Sequence, residues 1–105
     1  MRALLFGQTG PAAQVLQLAH VPDPGAPGPG QVRIRVEARP INPSDVMFIQ
    51  GMYGLQPTLP QVAGFEAAGT LEALGEGVGE NFFLQTGQRV AFTHTGTWAE
   101  TLVLP

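Results

Sequence analysis

The chain holds one tyrosine, one serine, two histidines and no cysteine, so its reactive side chains can be weighed one at a time. Tyr53 stands just past Gly51, at the exit of the segment Ile41–Gly54, where a phenol O–H can donate to charge developing on a substrate. Glu66 lies in Ala63-Gly64-Phe65-Glu66-Ala67-Ala68-Gly69, among small and apolar residues. A carboxylate in such a place is paired, hydrogen-bonded or facing a cleft, because burying it unpaired is costly. An edge position or an arginine partner satisfies that rule as well as a role in a site does. Ser44 lacks the pattern of a nucleophile elbow. His20, His94, Asp23, Asp45 and the scattered glutamates nowhere stand at ligand spacing, so no metal is expected, and His94 reads as a loop residue. The lack of cysteine rules out disulfides, thiolate zinc sites and a cysteine nucleophile within these residues.

Two glycine-rich stretches fail as phosphate cradles. In Gly75-Glu76-Gly77-Val78-Gly79-Glu80 a glutamate stands where a dinucleotide fingerprint needs its third glycine, and no helix is expected to open there. Gly25, Gly28 and Gly30 are separated by prolines in the wrong order. Both stretches read as turns, and no βαβ unit follows either, so these residues form no Rossmann dinucleotide site.

The elements that must carry the reactive residues are mostly strands. One helix is expected, over about 43–50: Asn42 can cap it, Pro43 fits its first position, Asp45 favours the first turn, and Gly51 stops it. From spacing alone this helix is either a pocket wall or a surface bridge with the Tyr53 ring packed. Val32, Ile34, Val36 and Ala38 alternate with Arg33, Arg35, Glu37 and Arg39, the pattern of a strand with one buried and one wet side. Further strands are expected at Met1–Phe6, Val15–Val21, within Val62–Leu74, at Gln88–Phe92 and at Thr101–Leu104. Pro22–Gly30 can be neither helix nor ladder strand and reads as a long turn inside one domain. Short strands between turn clusters point to a mainly β fold, a compact barrel or sandwich.

A length of 105 residues supports one domain with one core, and 44% hydrophobic content argues against disorder. The net charge of −3 and five dispersed arginines make nucleic-acid binding improbable. The apolar start, Ala3–Phe6, is too short for a secretory or membrane segment, so a soluble cytoplasmic protein is expected.

Taken together, Asn42-Pro43-Ser44-Asp45, Gly51-Met52-Tyr53, Gly64-Phe65-Glu66-Ala67-Ala68-Gly69 and Gly96-Thr97-Trp98-Ala99-Glu100 resemble the medium-chain dehydrogenase/reductase superfamily. The likeness is to the N-terminal, GroES-like part of its catalytic domain and covers residues 1–105. It implies a partly open β barrel with one short helix, and a Rossmann domain that is not in this chain. Zinc members carry cysteine where Asn42 stands and histidine where Phe65 stands, so the resemblance points to the zinc-independent quinone oxidoreductases and enoyl thioester reductases. In that branch Tyr53 and Asn42 are the implied catalytic and cofactor-side residues, with Phe65, Glu66 and Trp98 lining the substrate pocket. The implied cofactor is NADPH or NADH, bound mainly by the missing domain, and the implied partner is a small-molecule substrate. Gln88 departs from the usual aspartate after the glycine of a turn, with little catalytic weight. A stand-alone, non-catalytic GroES-like binding module is the other reading that these residues allow, and quinones and enoyl thioesters are not separated.

The resemblance implies a homodimer, as is typical of such relatives, and a domain removed from its core partner exposes apolar surface. The 105 residues are therefore expected to self-associate; strictly monomeric elution at high concentration in size-exclusion chromatography contradicts this.

Overall fold

The computed structural model describes all of Met1–Pro105. In chain order the elements are β1 (Arg2–Phe6), α1 (Ala12–Val15), β2 (Leu16–His20), β3 (Val32–Ala38), α2 (Pro43–Gln50), β4 (Gln61–Val62), β5 (Glu66–Leu74), α3 (Val78–Phe82), β6 (Arg89–Thr93) and β7 (Thr101–Leu104). The strands form two open antiparallel sheets, ordered β2-β1-β4 and β6-β5-β3-β7, so the fold is mainly β and not closed.

The alternation along β3 holds as far as Val36: Val32, Ile34 and Val36 are buried between β5 and β7. Ala38, expected on the same side, is exposed, because the β3–β5 register shifts between Val36 and Ala38 and β7 no longer flanks the strand there. With Leu71, Val78 and Leu104, Val32 and Ile34 form one apolar cluster. A second cluster joins Phe6, Val15, Phe48, Ile49, Ala63 and Trp98 between the other sheet and α2. Helix α2 has the expected bounds, with Asn42 in front of it and Gly51 behind it at φ +75°. Glycine tolerates that left-handed conformation without a Cβ clash.

Three more expectations change. A turn of helix, α1, precedes β2 where strand was expected from Val15, because Val15 turns inward to the second cluster. Another, α3, opens in the stretch read as a bare turn, with Val78 anchored in the first cluster. The wet face of β3 is not uniformly wet either: Arg33 donates to Asp23 at 2.5 and 2.9 Å and to Glu72 at 2.8 Å, and so ties the proline-rich loop to the sheet.

Residues 63–65 break the apolar run Val62–Leu74 into two strands of different sheets. There the Gly96–Glu100 segment crosses between them: Leu4 N–H donates to Trp98 O (2.9 Å), Ala63 N–H to Leu4 O (3.0 Å) and Trp98 N–H to Ala63 O (2.8 Å). Val36 N–H then bonds to Glu100 O at 2.9 Å, so the same segment grips both sheets.

Close approach at Gly69 yields a stability test. A Cβ there meets Arg35 O at 2.2 Å, whereas one at Gly7 meets nothing within 4 Å. Gly69→Ala is expected to lose about 1–3 kcal/mol in urea unfolding, and Gly7→Ala less than about 0.5; equal losses contradict the close approach of β5 to β3 at Gly69. A second test is acid stability. Hydrogen bonds from Arg33, then Gly25 N–H, hold the Asp23 carboxyl below its usual range, and Arg2 does the same for Glu100. Native pKa values below the unfolded ones stabilise the fold above about pH 4, and this contribution disappears as pH falls through the lowered values. Asp23→Asn is expected to flatten the acid limb of the stability–pH curve, measured by denaturant midpoints from neutral pH downward; an unchanged slope contradicts the pairing.

Candidate functional site

The site grows from the two ends of α2. At its start, Asp45, three residues on from Asn42, turns back and accepts the Asn42 backbone N–H at 2.7 Å, one arm of a capping box. Asp45 is only 1% exposed, so this bond holds the helix start against the core. The Asn42 side-chain amide is then free to face β5, where Nδ2 donates to Glu66 Oε2 at 3.2 Å. Glu66 is the first residue of β5 and is exposed. The partner found for this carboxylate is an amide and not an arginine.

At the other end, the Gly51 cap sends the chain away from the helix axis, and Tyr53 emerges 39% exposed. Its ring leans on Phe65 with centroids 5.6 Å apart. Phe65 rests on Phe48 at 4.8 Å, and Phe48 meets Phe6 edge-on at 5.8 Å. An unbroken aromatic stack thus runs from β1 to the surface and sets where the phenol sits.

Tyr53, Phe65 and Glu66 line one open groove of about 380 Å³, together with Ser44 and Thr93-His94-Thr95. Asn42 stands one hydrogen bond behind it, through Glu66. Trp98 lies elsewhere. It is 7% exposed, packed with Phe6, Phe48 and Ala63 in the cluster against which Phe65 rests, and borders a separate hollow of about 190 Å³ with Arg39 and Glu100. The structure therefore brings together three of the five residues singled out from the sequence, with Asn42 linked to them and Trp98 beneath them.

His94 is the groove residue that sequence reasoning set aside. Its backbone N–H donates to Phe65 O at 2.8 Å, and its Nδ1 lies 2.8 Å from Thr95 O. A carbonyl only accepts, so Nδ1 is the donor in this contact. Nothing in the spacing of a lone loop histidine signals this; the crossing of β5 and the Thr93–Gly96 turn produces it. The groove offers a phenol, a carboxylate, an imidazole and an aromatic wall. No three histidine, aspartate or glutamate side chains converge as a metal-ligand set.

No helix is long and apolar enough to cross a membrane. Residues 28–105 match the family model of the alcohol dehydrogenase GroES-like domain. Over 100 residues, 93% of this chain, the sequence is 42% identical to the mitochondrial enoyl-[acyl-carrier-protein] reductase of Mus musculus, of which it covers 26%. It is 43% identical over 83 residues, 78% of this chain, to the mouse synaptic vesicle membrane protein VAT-1 homolog, of which it covers 20%. Among solved structures, a mycobacterial quinone oxidoreductase and a mycobacterial protein complexed with NADPH each superpose on the whole chain. Both do so with a TM-score of 0.85 and 36% identity, over 31% of their own length. The chain thus spans about a fifth to a quarter of the curated relatives it matches. It is a member of the alcohol dehydrogenase GroES-like domain family.

Proposed function

We propose that this chain is the substrate-side domain of a zinc-free, NAD(P)H-dependent oxidoreductase that reduces quinones, enones or enoyl thioesters. The observation that carries the reading is the Tyr53 phenol, propped by Phe65 on the rim of a groove that also holds Glu66. Similarity to an enoyl reductase and to a quinone oxidoreductase supports it.

The donor set fits one end of the cofactor. An aromatic wall beside a carboxylate suits a nicotinamide ring and its carboxamide, and the groove contains no arginine for phosphates, so the rest of the cofactor belongs to another domain. Bound there, the dihydronicotinamide would supply the hydride. Tyr53 would donate its proton or a hydrogen bond to the charge that develops on the substrate. Asn42 would keep the Glu66 carboxylate in one orientation, with Phe65 and Trp98 as the apolar support and Phe65 also excluding water. Asn42 and Phe65, at positions where zinc relatives bear ligands, support a metal-independent reaction. A small-molecule substrate, a cytoplasmic location and a homodimer belong to the same reading.

In the full-length protein, Tyr53→Phe is expected to lower kcat by about 100-fold, with a much smaller change in KM, and chelation is expected to leave the rate intact. The isolated 105 residues are expected not to oxidise NADPH. Undiminished turnover by the Tyr53→Phe enzyme, or loss of activity on metal removal, overturns the proposal; a panel of quinones and enoyl thioesters identifies the substrate class.

A further inference from the structure

A second and larger groove, about 610 Å³, lies on the other side of Glu66 and Thr93, which line both hollows. Its walls are largely Pro40, Ala68, Ala91 and Phe92, and Arg39 is its one cation. Arg39 lies just past the end of β3 and is exposed, on the side where the strand alternation expects it. Its Nε donates to Thr97 O and its Nη2 to Ala99 O, both at 3.0 Å. The carbonyls on either side of Trp98 therefore hold the guanidinium in one pose.

Carbonyls orient a guanidinium without neutralising it. Arg39 takes part in none of the ion pairs of the molecule, which are Arg2–Glu100, Arg33–Asp23 and Arg33–Glu72. Two of its five N–H groups are used, and three remain for a ligand. Burial lowers its pKa from the usual guanidinium value, with the Glu100 charge opposing, but an arginine stays charged at neutral pH. A fixed, partly buried fork that makes no ion pair, at the edge of a largely apolar groove, is suited to a planar or tetrahedral oxyanion.

We infer that the Arg39 groove binds an organic anion, a phosphate or carboxylate on an apolar body, with the charged group on the free N–H edge of Arg39. The apolar body lies against Ala68, Ala91 and Phe92. Glu66 carries the opposite charge at the shared ridge, so the anionic group belongs at the Arg39 end. Resting on the reductase reading, a ligand spanning both grooves has its reducible end at Tyr53 and its charge at Arg39. That favours an anionic electrophile, such as a phosphorylated thioester, over a neutral quinone.

The test is an NMR titration of the 105-residue chain with phenyl phosphate, phenylacetate and benzyl alcohol. Saturable shifts at Arg39, Ala68, Ala91 and Phe92 are expected with one or both anions and not with the alcohol. Whichever anion binds names the group recognised. Arg39→Gln is expected to weaken anion binding at least tenfold, Arg39→Lys less, and Glu66→Gln to strengthen it by removing the opposing charge. Equal shifts with benzyl alcohol, no saturable response to either anion, or an Arg39→Gln affinity matching the parent overturns the inference. Should Arg39→Gln unfold, the Glu66→Gln and Arg39→Lys comparisons still decide it. In the full-length protein Arg39→Gln is expected to cut the preference for anionic over neutral electrophiles about tenfold. Absence of any reduction refutes the reductase reading and leaves the titration standing.

Discussion

The architecture turns on one backbone crossing, where Leu4, Ala63 and Trp98 exchange hydrogen bonds of 2.8–3.0 Å and join the two open sheets. Neither sheet closes on itself, so without this crossing β1 and β3 would belong to separate layers. Its tightest point is Gly64, where a Cβ would come within 2.3 Å of both Thr97 Oγ1 and Trp98 Cδ1. With φ at +96°, only glycine lets β4 end and β5 begin so abruptly. The next residue is Phe65 and the one after is Glu66. The position of the groove is therefore a consequence of where two strands are forced apart.

A backbone constraint of this kind fixes side chains only when packing carries it outward. Here the carrier is aromatic: Phe6, Phe48, Phe65 and Tyr53 stack in sequence from core to rim. Rings have few rotatable bonds, so each contact transmits position at little entropic cost. The polar groups are placed by a parallel chain. Asp45, buried, holds the Asn42 backbone, and the Asn42 amide holds Glu66. Both chains pass through the inner face of α2, one at Phe48 and the other at Asp45, which explains how an eight-residue helix governs the open side of the molecule.

Charge follows the same economy of position. Arg33 bridges Asp23 and Glu72, securing a loop whose prolines cannot join a ladder. Arg39, six residues on, stands beyond the strand and meets only carbonyls. The two arginines share a residue type and a face in the sequence pattern, yet one closes a loop while the other keeps its charge available.

Much of this was legible before any coordinates. The bounds of α2 follow from Asn42, Pro43 and Gly51, because capping and termination are local rules. The buried side of β3 follows from its period as far as Val36, since alternate residues of a strand must face opposite ways, and fails at Ala38 where the register shifts. Tyr53, Phe65 and Glu66 could be singled out by type and neighbourhood. What the chain alone did not reveal depends on contacts between distant residues: the helical turns drawn inward by Val15 and Val78, Trp98 sinking beneath Phe65, His94 reaching the groove, and Arg39 turning to Thr97 and Ala99. Local patterns determine which way a residue faces within its own element. Only the packing of one element on another decides what it faces, because that depends on surfaces that the linear chain does not bring together.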